Sequence, residues 1–152
     1  MKPLDLEIAL LALQGMPIML GLGKEPMWQI NGGSVKELAT LLERPFQQYG
    51  GQDLYPTPAE KVAVLFYQTI KDHRFENGNK RTAVILVLAL LIENGYWLKL
   101  GPDEIYDLAL RTAESKDSEA MTGELTRLFG KKMTGSLLLQ WMRSLFSFSR
   151  GS

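Results

Sequence analysis

The sequence predicts an all-α protein of about six helices, with one helix buried at the centre of a bundle. Three observations predict this architecture. Residues 57–60 have the composition of a strongly capped helix start, and residues 83–92 are almost purely apolar. A run of that length is too short for a bilayer, which takes about 20 helical residues, so it belongs inside a bundle. No alternation of apolar and polar residues is long enough to indicate a strand of ordinary length.

Composition sets the broad class of the protein. The chain has 152 residues, 45% hydrophobic and 22% charged, which is typical of one globular domain. Lys plus Arg and Asp plus Glu each number 17, so the net charge is zero. That balance argues against a nucleic-acid binder and against a polybasic membrane-surface protein. The absence of cysteine excludes disulfides, thiolate metal sites and cysteine nucleophiles, and it suits a cytoplasmic protein.

The first third of the chain is predicted to be an irregular N-terminal segment over residues 1–33. A Leu- and Ala-rich stretch at residues 8–13 favours an ordinary helix over a signal peptide. Glycines and prolines then punctuate residues 15–33, which predicts a loop with at most short pieces of structure. Ser34 is predicted to cap a short helix over residues 35–43, which ends because Arg44 precedes a proline.

The clearest helix start follows a polar, aromatic stretch. Residues 46–55 contain a Gly-Gly pair at the middle and are predicted to form an extended loop or a short hairpin. Thr57 then supplies an N-cap, Pro58 the first helical position and Glu60 the capping-box glutamate. Helical spacing of apolar residues continues to about Asp72.

Every element predicted in the second half of the chain is a helix. An Asn-Gly pair at residues 94–95 ends the buried helix, and two further helices are predicted at residues 102–112 and 118–129. Residues 131–150 are predicted to form a C-terminal amphipathic helix. Two interpretations of its broad apolar stripe stay open, because it can pack on its own domain or contact a second copy or a partner.

The segment His-Arg-Phe-Glu-Asn-Gly-Asn-Lys-Arg-Thr at residues 73–82 carries the candidate chemistry. It contains the single histidine, His73, and leads into the buried helix. Lys80 and Arg81 stand where the positive end of the helix dipole would repel them unless an anion joins them. Gly78 lets the backbone approach a ligand closely. These features predict a phosphate site with His73 as general base, although a structural histidine beside a solvated edge is the alternative.

The run HRFENGNKRTA resembles the signature of the Fic/Doc family, H-x-F-x-[D/E/N]-G-N-[G/K]-R. The flanking runs RPFQQYGGQDLYPTPAEKVA and ENGY are similar to its death-on-curing, or Doc-like, branch, and the resemblance covers residues 34–115. It implies a compact Fic/Doc-like helical bundle, with a catalytic domain over residues 34–130. The motif loop would join two helices, and the second helix would be buried.

The resemblance also implies an activity, which is the transfer of part of a nucleoside triphosphate to a hydroxyl side chain of a target protein. ATP is the implied substrate and Mg²⁺ the implied cofactor. His73 would deprotonate the target hydroxyl, and Phe75 would anchor the loop in the core. Four residues would hold the phosphates: Gly78, Asn79, Lys80 and Arg81.

Three positions depart from the commonest family pattern. Asn77 stands where many members carry an acidic Mg²⁺ ligand, so it predicts a weak metal site unless the phosphates or Glu76 hold the ion. Lys80 replaces a glycine of the AMP-transferring members, and Val84 replaces their second arginine. This pattern resembles the Doc-like branch and implies a reversed nucleotide whose terminal phosphate passes to a Ser or Thr hydroxyl. AMP transfer and a catalytically weak binding module stay open as alternatives.

The resemblance further implies a target-binding flap over residues 45–55 and a partner that controls the enzyme. The flap candidates are Phe46, Tyr49, Gly50 and Gly51. A surface loop whose aromatics cap the core is the alternative. Self-inhibition would need a helix with S/T-x-x-x-E-[G/N], and the nearest match, which starts at Ser115, lacks its last residue. A separate antitoxin polypeptide is therefore expected, with the chain as the toxin of a toxin–antitoxin pair and a translation factor as one candidate target.

Overall fold

The computed structural model describes residues 1–19, 21 and 28–150, and over these residues the chain is mostly helical. The all-α prediction is confirmed. None of the helices in these ranges combines the length and apolar composition that a membrane span requires. In chain order the helices are α1 (Leu6–Met19), α2 (Gly32–Glu43), α3 (Pro58–Lys71), α4 (Asn79–Glu93), α5 (Pro102–Glu114), α6 (Ser118–Lys132) and α7 (Leu137–Arg150).

Helix α4 is the buried centre of the bundle, as the apolar run predicts. It is buried on all sides from Arg81 to Val87 and again from Ala89 to Leu91, and it packs against α1, α3 and α5. It ends at the predicted Asn-Gly pair, where Gly95 adopts a left-handed φ of 78°. The site at its N-terminal end is therefore built on the most constrained element of the fold.

Helix α3 begins as its capping residues predict. Thr57 Oγ1 accepts a hydrogen bond from Glu60 N at 3.2 Å, and Glu60 Oε2 accepts one from Thr57 N at 3.3 Å. The apolar face of α3 packs on α4 and α6, with Phe66 edge-on to Phe129 at 5.5 Å between ring centroids. Its N-terminal cap and this packing therefore hold α3 in place between the two loops that flank it.

The helix favoured at residues 8–13 is confirmed as part of α1, but the prediction of a loop from residue 15 was wrong up to residue 19, because α1 continues to Met19. The helix runs through Gly15 and Pro17, residues that favour a loop in isolation. Burial of Ala9 and Leu13 in a helix that packs against α4 outweighs that local preference. Within the rest of the predicted loop, residues 20 and 22–27 lie outside the described residues.

Helix α2 begins three residues earlier than predicted. Its N-cap is Asn31, whose Oδ1 accepts from Ser34 N at 3.0 Å, while Ser34 Oγ accepts from Asn31 N at 2.9 Å. Ser34 is therefore the return partner of a capping box rather than the cap itself. A single 3-10 turn, Arg44–Phe46, follows the helix at the proline that was expected to end it.

Two short antiparallel ladders complete the described fold. Strands β1 (Gln48–Tyr49) and β2 (Gln52–Asp53) form a hairpin, which is one of the two predicted alternatives. Strands β3 (Tyr96–Leu98) and β4 (Met133–Gly135) also pair with each other, although α5 and α6 separate them in the sequence. This second ladder was not predicted, because three residues are too few to show a two-residue alternation.

Helix α7 begins at Leu137 rather than at the predicted residue 131, because α6 continues to Lys132 and Met133–Gly135 form β4. It carries the predicted amphipathic pattern and leaves its apolar stripe exposed at the positions described. Packing of this stripe on its own domain and contact with a second copy or a partner both stay predictions. The side chains of Phe146 and Phe148, which belong to the predicted stripe, lie outside the described residues. The exposed side chains are Leu137, Leu138, Trp141, Met142 and Leu145.

Candidate active site

The loop between α3 and α4, residues 72–78, is the motif loop, and it opens onto a cavity of about 220 Å³. This polar cavity gathers the predicted catalytic histidine, the metal candidate and the four phosphate-binding candidates. Three residues that the sequence analysis did not single out, Ile70, Tyr106 and Ala113, complete its lining. The members predicted from the motif are His73, Asn77, Gly78, Asn79, Lys80 and Arg81.

His73 lies exposed at the start of the motif loop with a φ of 44°. Among the described non-glycine residues it is the one found in the left-handed region, which side chains with a Cβ rarely adopt. Such a backbone costs on the order of 1–3 kcal/mol and persists only where its surroundings hold it. The loop must therefore be braced by its neighbours.

Phe75 is the first brace, and the structure gives it a partner that the sequence analysis missed. Its buried ring stacks on Trp28, with centroids 4.2 Å apart and planes 9° apart. Trp28 Nε1 donates to Thr82 Oγ1 at 2.9 Å, and that hydroxyl donates to Gly78 O at 2.8 Å. One indole thus supports both the middle of the loop and its junction with α4. An aromatic in a glycine-rich stretch is the signal that could have identified it.

Asn79 closes the loop with its side chain. Its Nδ2 donates to Phe75 O at 2.9 Å, and its Oδ1 accepts from Phe75 N at 3.3 Å. Because Nδ2 carries two N–H groups, its second N–H and the backbone N–H at the first turn of α4 are the donors suited to the predicted phosphate contact of Asn79. Gly78 permits this closure with a φ of 71° at the N-cap.

The entrance to α4 is suited to an anion. The N–H groups of a first helical turn have no partner within the helix, and the dipole is positive there. Lys80 is half-buried and Arg81 is 6% exposed, and both line the polar cavity. No carboxylate is among the described residues that line it. Among the described lining residues, a phosphate group would therefore meet the charges of Lys80 and Arg81.

Arg74 is not among the described residues that line this cavity, and its side chain ties the loop to α2. Its Nη1 lies 2.5 Å from Glu37 Oε2, and its Nε lies 3.5 Å from Asp72 Oδ2. The hydrogen bond to Glu37 raises the pKa of the Arg74 guanidinium above its ordinary value. This ion pair was also missed, because its two members lie far apart in the chain.

The metal candidates fit Mg²⁺ only as an ion shared with a nucleotide. Asn77 and Glu76 are both exposed, and Asn77 lines the polar cavity. Within the described part of the chain, no group of three or more His, Asp or Glu side chains could hold a metal. Magnesium takes one or two protein oxygens when substrate phosphates supply the rest. Asn77 would be such a ligand, with one neutral oxygen.

The flap, residues 45–55, is a hairpin with Gly50 and Gly51 at its tip, at φ values of 58° and 78°. Two successive residues with positive φ are what a two-residue hairpin turn requires. Tyr49 is 82% exposed, whereas Phe46 is partly buried against the core. Phe46 therefore covers the core, as the surface-loop alternative predicts, whereas Tyr49 stands in solvent and its contact with a target stays a prediction.

Lys61 of α3 anchors the flap and was not foreseen. Its side chain is 4% exposed, and Nζ donates to Pro45 O at 3.2 Å and to Tyr55 O at 2.6 Å. Nζ also lies 3.1 Å from Asp53 Oδ2 and 5.0 Å from the centre of the Phe46 ring. One ammonium therefore holds both ends of the flap.

A family model places this geometry in a known context. The model of the Fic/DOC family matches residues 9–91, which run from α1 into α4 and include the flap and the motif loop. The match begins well before residue 34, where the resemblance read from the sequence began. No curated protein and no solved structure matches the chain. Because the matched residues make up more than half of its 152, the chain belongs to the Fic/DOC family, whose members in general transfer nucleotide phosphate groups to proteins.

Proposed function

We propose that this chain transfers the terminal phosphate of a nucleoside triphosphate to a Ser or Thr hydroxyl of a target protein. The observation that carries the proposal is the polar cavity. It joins an exposed histidine to a helix N-terminus and two cations, with no carboxylate among its described lining residues. A triphosphate matches this wall in charge, and a hydroxyl that reaches His73 would lie beside the phosphates.

The reaction needs positioning and charge neutralisation more than covalent help from the protein. His73 accepts the proton of the target hydroxyl, and the freed oxygen forms a bond to the terminal phosphorus. The bond from that phosphorus to the bridging oxygen breaks, and the nucleoside diphosphate leaves with the electron pair. Lys80, Arg81 and the first-turn N–H groups of α4 offset the negative charge. Bound Mg²⁺ would neutralise further phosphate charge.

Lys80 and Val84 support phosphate transfer over AMP transfer. Lys80 takes up room and adds a charge where AMP-transferring members carry glycine. Val84 is buried and apolar where those members carry an arginine that grips the far phosphate. An AMP-transfer arrangement would therefore lack a partner for its far phosphate at this position.

The flap supports a protein as the acceptor. Strands β1 and β2 are two residues long and exposed on both faces. An extended segment of the target could add to either edge through main-chain hydrogen bonds. Tyr49, exposed beside the hairpin tip, would contact the side chains of that segment.

Two labels on ATP test the reaction. The chain is incubated with bacterial lysate and with ATP labelled either at the terminal phosphate or in the adenosine. We expect protein label only from the terminal phosphate, and none with His73→Ala. Label from adenosine alone would overturn phosphate transfer in favour of AMP transfer. The double variant Lys80→Gly, Val84→Arg carries the residues of AMP-transferring members at both positions. With this variant, protein labelling from adenosine-labelled ATP should increase and labelling from the terminal phosphate should decrease.

Calorimetric titration separates an enzyme from a binding module that has lost its activity. We expect the chain to bind ATP with Mg²⁺, and Asn77→Asp to strengthen that binding because a carboxylate replaces a neutral oxygen. The absence of ATP binding with and without Mg²⁺ would exclude the enzymatic proposal.

The biological role that fits this activity is a cytoplasmic toxin controlled by an antitoxin polypeptide. Support comes from the sequence, in which the nearest match to a self-inhibitory helix is incomplete. Induced expression in bacteria should arrest growth, and His73→Ala should relieve the arrest. Equal growth arrest by both proteins would contradict a toxic role for the transferase.

A further inference from the structure

The ring of His73 has no hydrogen-bond partner in the part of the chain that the structure describes. A general base is ordinarily oriented by a third group that bonds to it. The direction of this imidazole therefore depends on the backbone that carries it, which has a φ of 44°. Contacts that hold residues 72–74 in this conformation also aim the proposed base.

The side chains on either side of His73 are paired with each other. Arg74 Nε lies 3.5 Å from Asp72 Oδ2, so an ion pair connects the two neighbours of the histidine. Arg74 Nη1 also donates to Glu37 Oε2 of α2 at 2.5 Å. We call Asp72, Arg74 and Glu37 the charge clamp. The Arg74 side chain is 19% exposed, so water and salt screen the clamp less than they screen an ordinary surface ion pair.

The charge clamp holds one end of the motif loop, and other side chains hold the end that faces the phosphates. Residues 75–78 are supported by Trp28, Asn79 and Thr82. None of the clamp residues is among those that the structure describes in the lining of the polar cavity. The histidine and the anion site are therefore supported separately. Loss of the clamp, unlike other damage to the motif loop, should spare nucleotide binding.

We propose that the charge clamp positions His73 for phosphate transfer, an inference that rests on the proposed function. Arg74 is a positioning residue, because it acts through the histidine and not on the nucleotide. A left-handed backbone persists at a residue with a Cβ only where its surroundings hold it. The clamp ties residue 72 to residue 74 across that backbone and ties both to α2. Without it, the backbone at residue 73 relaxes towards the commoner conformations with negative φ, and the imidazole turns away from the target hydroxyl.

The single histidine of the chain gives a readout that does not depend on activity. A sample of the untagged chain labelled with 15N-histidine shows one backbone amide signal, which belongs to His73. We expect an order parameter of about 0.85 in wild type and below about 0.6 in Arg74→Met, the values of rigid and flexible backbone. Glu37→Met should lower it too. The Glu37 side chain is 42% exposed, so this second variant leaves the core packing intact.

Activity should follow the histidine, whereas nucleotide affinity should not. At saturating ATP with Mg²⁺, both variants should slow protein labelling from the terminal phosphate about ten- to a hundredfold, as expected for a base displaced by about 1 Å. Calorimetry should give an unchanged dissociation constant for ATP. The double variant should be no slower than Arg74→Met alone, because both changes remove the same clamp. Arg111→Met is the matched control, since it breaks an ion pair with Glu124 between α5 and α6 and should change none of these quantities.

An order parameter at His73 that stays at the wild-type value in both variants would overturn the inference, whether or not labelling slows. A wild-type value already below about 0.6 would overturn it as well. So would weaker ATP binding in Arg74→Met together with tighter binding in Glu37→Met, because Arg74 would then be a phosphate ligand whose charge Glu37 offsets. A wild-type chain that labels no protein, but whose His73 becomes mobile in Arg74→Met, would overturn the proposed function and leave the clamp as the support of this backbone.

Discussion

Two loops flank α3 and differ in how they are held. The motif loop follows the helix and is fixed by two side chains of α4 and by two from much earlier in the chain. The flap precedes the helix and depends mainly on a single ammonium group at Lys61. The side chains that brace the motif loop are Trp28, Glu37, Asn79 and Thr82.

The difference follows from what each loop is proposed to do. A group-transfer site must hold its groups within about 0.5 Å of productive geometry, which requires bracing from several directions. The left-handed backbone at His73 adds a cost that only such bracing can hold in place. A surface that pairs with an extended target segment can tolerate movement, because main-chain pairing adapts to it. We therefore expect damage to the motif loop to alter nucleotide binding, and damage to the flap to alter target binding.

Trp28→Ala should have the largest effect. It removes the ring that stacks on Phe75 and the donor to Thr82, and truncation of a buried Trp costs about 3–5 kcal/mol. We expect a loss of that order in the free energy of unfolding, measured in urea, and a loss of ATP binding. Trp28→Phe retains an aromatic ring and should cost less. An Ala variant as stable as the Phe variant would show that the motif loop does not depend on this stack.

Lys61→Met comes next and addresses the flap alone. It leaves the carbonyls of Pro45 and Tyr55 without their donor, which costs about 1–3 kcal/mol for buried acceptors. We expect faster proteolysis at the Gly-Gly tip of the flap and a higher KM for the protein substrate, with ATP affinity retained. Lys36→Met, a change at an exposed lysine of α2, is the matched control. Loss of ATP binding in Lys61→Met would contradict the proposal that the flap serves target binding and the motif loop serves nucleotide binding.

Asn79→Ala should have a smaller effect on stability than on ligand binding. It removes two hydrogen bonds to the backbone of Phe75, a net loss of about 1 kcal/mol for each bond. The motif loop would relax at the mouth of the polar cavity, so ATP affinity should fall as well. Asn31→Ala is the control, because loss of that N-cap destabilises α2 by about 1 kcal/mol, the same order as the total of about 2 kcal/mol expected for Asn79→Ala. Equal ATP affinities in the two variants would contradict a role for Asn79 in shaping the site.

The sequence predicts those features of the two loops and their helices that depend on residues close together in the chain. Capping at Thr57, the apolar composition of α4 and the Asn-Gly stop each depend on residues a few positions apart, and each was confirmed. The motif likewise brought His73 and Arg81 to one cavity. By contrast, Trp28 meets the motif loop across more than 40 residues, and no periodicity reveals that contact. The C-terminal part of α1 was missed because Gly15 and Pro17 indicate a loop until tertiary burial is known.

The burial of Lys61 could not be predicted from the sequence either, because it too depends on a tertiary contact. Lys61 follows Glu60 in a first helical turn, where charged residues are ordinarily solvated. Its burial becomes apparent only once the flap folds back over α3 and presents two carbonyls and a carboxylate. Sequence patterns identify which residues suit a helix end, but not which loop returns to cover it.

Asp53 provides the smallest expected effect and a test of the sign of the flap's pH dependence. A hydrogen bond from Gln48, and then one from Lys61, lowers the pKa of this carboxyl below its ordinary value of 3.8. A lowered pKa in the folded state adds stability above the ordinary value, and this stability is lost as the pH falls through the folded-state value. The Tm of Asp53→Asn should thus lie slightly below that of wild type at neutral pH, and the gap should close under acid. When Lys61 is also changed to Met, the Tm difference between the Asp53 and Asp53→Asn proteins should be smaller at neutral pH, because Asp53 then keeps only its contact with Gln48. The contrary result is a Tm difference that widens under acid, or one that is the same with Lys61 and with Met at position 61. Either would mean that the ammonium group does not hold the flap through this carboxylate.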